Sequence, residues 1–289
     1  MSQTNTNQNI IPNFLVIGTM RSGTTWLDGV LRTHPDIYLP QRRKEVHFFD
    51  QYYERGIEWY QNFFSFADDR LNYKSIGEIT PDYLYHPEVP ARIKKHIPNC
   101  KFIVIFRNPV DRAYSHYGFM VKNYADTRSF EEIVEQKPDV FPKGLYGEQM
   151  ERYLQLFPLN NFLILIYEEV LNNPEKTLEK IAHFLSVEPD KFDISMVNKR
   201  ANSSGTVRFS AARALACKFR DFLRNQDLDW VWDVAKKSGM EGIFESKGKS
   251  LPPINPQIKA ELISRYESDI TLLEKLINTD LSIWKNSTL

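Results

Sequence analysis

Three short apolar runs punctuate an otherwise mixed chain: "NFLVIG" at 13–18, "KFIVIFR" at 101–107 and "NFLILIYEE" at 161–169. None of them alternates apolar with polar positions. Each is continuous, the pattern of a strand buried on both faces in a parallel sheet covered by helices. A weaker run, "YKSIGEI" at 73–79, stands just before "TPDY" and is a fourth strand candidate. Between the runs the apolar spacing becomes helical. "TTWLDGVLRTHP" carries apolar residues at 26, 27, 30 and 31 and closes at Pro35. "PEVPARIKKHIP" leads into the second run and "NPVDRAYSHYGFMVKN" follows it. "NPEKTLEKIAHFLSV" follows the third, with Asn173 placed as an N-cap and Pro174 suited to the first turn. Strands alternating with helices predict an α/β fold, a central mainly parallel sheet flanked by helices.

From about residue 200 the texture changes. "KRANSSGTVRFS" reads as a polar loop, a helix is predicted over 210–224, and "GMEGIFESKGKSLPPINP" is rich in Gly, Pro and Lys. "PQIKAELISRYESDITLLEKLI" is helical by period. No linker and no internal repeat interrupts the chain. The reading is one domain over 13–289 behind a polar tail, 1–12, expected to be disordered.

Composition narrows the function. Hydrophobic residues make up 42% of the 289 and charged residues 26%, enough for a sizeable soluble core. The 37 basic and 37 acidic side chains cancel. A general nucleic-acid or membrane binder carries a basic excess, so neither partner is expected and any anion site must be local. Cys100 and Cys217 have no metal-like spacing and suit a reducing cytosol. No stretch approaches the ~18 apolar residues of a membrane span, and "MSQTNTNQNIIPN" lacks a leader pattern. A cytoplasmic protein is expected; its oligomeric state is not legible.

The chemistry begins behind the first run. "GTMRSGTTWL" at 18–27 places two glycines, four hydroxyl residues and one arginine between a strand and a helix. Free N–H groups at a helix start, together with its dipole, favour an anion there. Gly18 and Gly23 let the backbone approach phosphate oxygens, Ser22, Thr24 and Thr25 add hydroxyls, and Arg21 adds a permanent charge. A nucleotide-triphosphate loop needs lysine after its second glycine, and here that residue is Thr24. A triphosphatase should also end a later strand in a carboxylate for Mg²⁺. The 101–107 run ends in Arg107 instead, with Ser115 eight residues on. Such a site grips phosphate without an obligatory metal.

"RSGTTW" behind one strand and "FRNPVDRAYSHY" behind another resemble the sulfotransferase family that uses 3′-phosphoadenosine 5′-phosphosulfate (PAPS). The resemblance extends through "RRKEVHFFD" (42–50), "RGIEWYQNFF" (55–64), the 77–117 segment and "FESKGKS" (244–250), and looks like the heparan-sulfate-type branch with its bacterial relatives. It implies that Arg21, Ser22, Gly23, Thr24 and Thr25 cradle the 5′-phosphosulfate. It implies that Arg107 and Ser115 bind the 3′-phosphate, and that Lys247, Gly248 and Lys249 form a flap over the cofactor. Trp26 is placed either near adenine or in the core. The first motif's usual lysine is Arg21 here.

Sulfuryl transfer needs in-line positioning, a base for the acceptor and positive charge on the leaving oxygen. Arg21 supplies the charge. The resemblance places the base on Glu45, while His47 has the better intrinsic pKa. The remaining histidines show no ligand spacing, so no metal site is expected. Glycan-acting relatives often carry lysine in "EKTP", but here the motif is "EITP", with Ile79. That departure, the zero net charge, the absence of an anchor pattern and a long acidic and aromatic segment at 124–153, read as a lid, point to a small soluble acceptor. The resemblance adds polyketide hydroxyls and saxitoxin-type alkaloids as classes. A P-loop nucleotide kinase and a glycan sulfotransferase are the alternatives.

Overall fold

The computed structural model describes residues 10–65, 73–193, 195, 210–229, 231–232, 234 and 251–285. Its sheet has five strands, β1 (Phe14–Gly18), β2 (Ile37–Tyr38), β3 (Ser75–Ile79), β4 (Lys101–Phe106) and β5 (Phe162–Ile166), in the order β2-β3-β1-β4-β5. Every pairing is parallel. All five residues of β1 are buried, as the unbroken apolar run requires. Chain order reverses at β1: its neighbour β3 leads outward to β2, and β4 leads outward to β5. The carboxyl ends of β1 and β4 therefore flank a topological switch point, where open α/β sheets form their binding crevice.

Among the described residues the helices are α1 (Thr24–Leu31), α2 (Ile57–Gln61), α3 (Val89–His96), α4 (Pro109–Tyr124), α5 (Phe130–Gln136), α6 (Tyr146–Leu154), α7 (Tyr167–Asn172), α8 (Pro174–Leu185), α9 (Ser210–Asn225), α10 (Pro256–Ile277) and α11 (Ser282–Lys285). The chain forms two compact units, residues 1–107 with 148–201, and residues 108–147 with 202–289.

The first unit holds the sheet. Phe14, Val16, Leu27, Ile79, Ile103, Ile105, Leu165 and Ile181 belong to one buried cluster. Register places Phe14 beside Gly77, where any Cβ would lie 2.4 Å from the Phe14 ring. A second, aromatic packing joins Phe48, Phe49, Tyr60, Phe64 and Tyr83. The Phe48–Phe49 pair is fully buried, in keeping with a core role.

The second unit is helical among its described residues. Asn108 caps α4, accepting from the Val110 and Asp111 amides. Phe141 stacks on Tyr266 of α10 at 4.3 Å, and the Tyr266 hydroxyl donates to the Phe141 carbonyl. Arg112, wholly buried, donates to the Val140 carbonyl.

Several local expectations change. α1 stops at Leu31, four residues before Pro35, because the Thr33 and His34 amides turn back to Val30 and Leu31. β2, two residues long, has no period to read. Within the 124–153 segment, a Ser129–Glu132 capping box starts α5, and Phe130, Ile133, Val134, Tyr146 and Tyr153 are buried. These side chains serve the interior, not an open lid. Of the tail read over 1–12, residues 1–9 lie outside the described residues, and Pro12 is buried.

Candidate active site

The turn after β1 is tied down from beneath. The Thr19 amide and hydroxyl both donate to the Ile105 carbonyl of β4, at 2.9 and 3.1 Å. With its own proton so used, Thr19 Oγ1 accepts from Ser22 Oγ at 2.5 Å, and the Ser22 amide bonds the Thr19 carbonyl. Ser22 is fully buried, so its hydroxyl braces the turn from inside. Arg21 (φ +71°) and Gly23 (φ +88°) adopt left-handed backbone. Helix α1 then begins at Thr24. The first amide to find an intrahelical acceptor is that of Leu27, which bonds Gly23. The amides of 24–26 have no intrahelical acceptor, and no acid stands in that first turn. The amides of this first turn, the positive end of the dipole and no acid in the turn make an anion cradle. Thr24 is buried and Thr25 exposed.

Arg107, at the end of β4, lies beside this turn. Its Nη1 donates to the Arg21 carbonyl at 3.0 Å, and its guanidinium stacks 4.7 Å from the centre of the Tyr167 ring. Tyr167 opens α7 at the end of β5 and leans on the turn from the other side. A Cβ at Gly23 would meet its ring at 3.2 Å. Three strand ends, β1, β4 and β5, thus converge on one turn. Tyr167 was not legible as a site residue, because its contacts come from residues more than fifty positions away.

The 42–50 segment adds the titratable groups. Lys44 Nζ donates to Thr25 Oγ1 at 3.4 Å and to Glu45 Oε1 at 3.1 Å, linking this segment to α1. Glu45 Oε2 lies 3.6 Å from His47 Nε2, and His47 Nδ1 lies 2.8 Å from Asp50 Oδ2. His47 is left-handed (φ +57°) and bridges the two carboxylates. Burial opposes the Glu45 charge, but His47 and Lys44 prevail and hold its carboxyl down at about 2. Burial likewise disfavours charge on His47, yet Asp50 and Glu45 push it up to about 10. At neutral pH His47 is an imidazolium between two carboxylates. Asp50, whose side chain is fully buried, was missed in the sequence, although the His-x-x-Asp spacing carried the signal.

Beneath this segment lies one more titratable group. Glu78, on β3, is fully buried and accepts hydrogen bonds from Tyr60 (2.8 Å), Tyr83 (2.7 Å), Thr80 (3.0 Å) and the Val46 amide (3.3 Å). Ile79, whose identity bore on the acceptor, points the other way, into the core.

Of the other expected site residues, Trp26 packs against the hydrophobic core of the sheet. Ser115 stands half-buried on α4, in the second unit. Lys247, Gly248 and Lys249 lie outside the described residues. Among the described residues, His47, Asp50 and Asp82 each bring one ligand atom within 4.8 Å of the others. A metal ion there would have to displace a ring proton that His47 directs at a carboxylate, Nδ1 facing Asp50 and Nε2 facing Glu45.

A family model, the sulfotransferase domain, matches residues 12–225. Membrane-associated sulfotransferase kil1 of Dictyostelium discoideum is 39% identical over 153 residues, 51% of this chain and 32% of that protein. Heparan sulfate glucosamine 3-O-sulfotransferase 6 of Mus musculus is 31% identical over 265 residues, 89% of this chain and 68% of the relative. Bifunctional heparan sulfate N-deacetylase/N-sulfotransferase 3 of Mus musculus is 27% identical over 288 residues, covering 93% of this chain and 30% of that protein. The chain therefore spans about a third of the length of two of these curated relatives. The crystal structure of a sulfotransferase from Alicyclobacillus acidocaldarius superposes with a TM-score of 0.69 at 24% identity, covering 96% of this chain and 100% of that one, a likeness of fold.

Proposed function

The chain belongs to the PAPS-dependent sulfotransferase family, and on that premise we propose that it moves the sulfuryl group of PAPS to a hydroxyl or amine of a small soluble acceptor. Adenosine 3′,5′-bisphosphate is the other product. The bond from sulfur to the phosphate oxygen breaks as the bond to the acceptor forms, and the acceptor's proton passes to Glu45. The amides of 24–26 and Arg21 take the charge that builds on the leaving oxygen. Arg107 holds the 3′-phosphate.

One observation carries the assignment of the base. Glu45 lies between Lys44 and a protonated His47, on a segment that Lys44 links to the start of α1. An imidazolium with its pKa near 10 has no free lone pair for the acceptor's proton, whereas an ionised carboxylate does. His47 then orients Glu45 and holds it ionised. No metal is needed, because Arg21, Arg107 and Lys44 provide the positive charge. The cytosol is the proposed place of action, in keeping with the two free thiols Cys100 and Cys217. No helix among the described residues is long and apolar enough to cross a membrane.

A glycan acceptor is the second reading. It is favoured by the names of the relatives and by Arg42, Arg43 and Arg55 stacked on Tyr52, Trp59 and Phe63. Ile79 is buried, so that position offers an anionic sugar no cation. The test is PAPS turnover with heparan-type oligosaccharides beside hydroxylated and amine-bearing metabolites, including polyketides and guanidinium alkaloids. Higher kcat/KM on the metabolites is expected; higher kcat/KM on the oligosaccharides would replace the first reading with the second.

A further inference from the structure

We propose that Glu78 is a positioning residue of the reaction, an ionised carboxylate in the core that grips the backbone of 46–49 and so aims Glu45 and His47. The inference rests on the reading that Glu45 accepts the acceptor's proton.

The grip is a closed network. Glu78 Oε1 receives the Tyr60 and Tyr83 hydroxyls, and Oε2 receives the Thr80 hydroxyl and the Val46 amide. Thr80 Oγ1 in turn accepts from the Val46 and His47 amides, at 3.1 and 3.4 Å. The Tyr83 hydroxyl accepts from the Phe48 and Phe49 amides, at 2.9 and 3.3 Å. Every amide from Val46 to Phe49 thus ends on Glu78 or on a hydroxyl whose proton Glu78 fixes. Tyr60 comes from α2, Thr80 and Tyr83 from the turn after β3, and the amides from the segment that presents the base. Glu78 touches none of the reacting groups.

The network fits only the carboxylate. All four partners are donors to Glu78, so the ionised form satisfies all of them. A proton on either oxygen needs an acceptor in return. The Val46 amide cannot be one, and each hydroxyl that turns to accept must withdraw its own proton. Protonation therefore loosens the hold on 46–49. The groups that face Glu78 set where this happens. Burial raises its carboxyl to about 7, against the pull of Tyr83, Tyr60, Thr80 and charged His47. The thiol of Cys100, before β4, also lies in its field. Glu45 and His47 titrate far from neutrality, so an acid limb of kcat near neutral pH belongs to Glu78.

Tyr60→Phe is the decisive variant. It removes one hydrogen bond to the carboxylate and leaves every bond to the 46–49 amides in place. The expected result is that the acid limb moves to higher pH by about one pH unit. Hydrogen exchange of the 46–49 amides, corrected for intrinsic rates, should lose protection along the same shifted curve. Glu78→Gln should lower kcat on the order of 10- to 100-fold, leave the KM for PAPS within about twofold, and abolish the limb. Should Glu78→Gln fail to fold, Tyr60→Phe decides alone. An acid limb and an amide protection curve that both stay put in Tyr60→Phe would overturn the proposal. Glu45→Gln, measured beside them, separates the two ideas. Near-normal kcat in Glu45→Gln removes the base assignment, while amide protection reads the grip of Glu78 independently of it.

Discussion

Glu45 and His47 have opposite charges because each makes the other's charge favourable, and this gives two expectations for single residues. Glu45→Gln should bind adenosine 3′,5′-bisphosphate with unchanged affinity while kcat falls about 10²–10⁴-fold, the usual worth of a positioned base. Calorimetry and a PAPS turnover assay check the two halves. The second expectation concerns stability. The carboxyl of Glu45 is lowered on folding, so its contribution is complete above the ordinary carboxylate range and is lost only as pH falls toward about 2. The imidazole of His47 is raised, so its contribution is complete below the ordinary imidazole range and is lost as pH rises through about 10. Both are whole between roughly pH 5 and 6.5. The Tm lost in His47→Ala should be largest there and shrink toward pH 10, as thermal melts across pH would register. At this scale "KEVHFF" pointed to Glu45 and His47 directly. Glu78 stayed hidden because a lone glutamate in an apolar strand shows its partners only after folding brings residues 46, 60, 80 and 83 around it.

The strand–turn–helix of β1 and α1 is the element on which the site depends. Gly23 combines a left-handed φ with a neighbouring aromatic ring, so Gly23→Ala should cost about 1–2 kcal/mol in urea unfolding and weaken nucleotide binding with it. Gly77 serves the same element from β3. Gly77→Ala drives a methyl into the Phe14 ring and should cost about 1–3 kcal/mol in the same experiment, without a specific loss of cofactor affinity beyond unfolding. The contrast separates a turn that shapes the ligand site from a strand that only supports it. β1, β4 and β5 were legible because doubly buried strands write continuous apolar runs. β2 was not, since two residues have no period, and the end of α1 was not, since local turns at 33–34 stopped it before the proline. The Tyr167 contact with the turn depends on which strands are neighbours, a property of topology rather than of any one segment.

For the whole molecule, zero net charge means that its cations act by placement. Lys44 and Arg107 gather around one turn of the first unit, the turn that carries Arg21, through bonds to a carbonyl, a hydroxyl, a carboxylate and an aromatic ring. This local charge should make sulfation indifferent to excess EDTA, and a collapse of rate restored by Mg²⁺ would remove that reading. The central claim is that this turn holds the 5′-phosphosulfate of PAPS while Arg107 beside it recognises the 3′-phosphate. Its most direct test is a calorimetric titration of the wild type and Arg107→Ala with adenosine 3′,5′-bisphosphate and with adenosine 5′-phosphate. Losing a charge-assisted contact costs about 1.5–3 kcal/mol, so the bisphosphate should bind roughly 10- to 150-fold more weakly to Arg107→Ala. The 5′-phosphate should bind both proteins nearly alike. Equal losses for the two ligands would contradict the account.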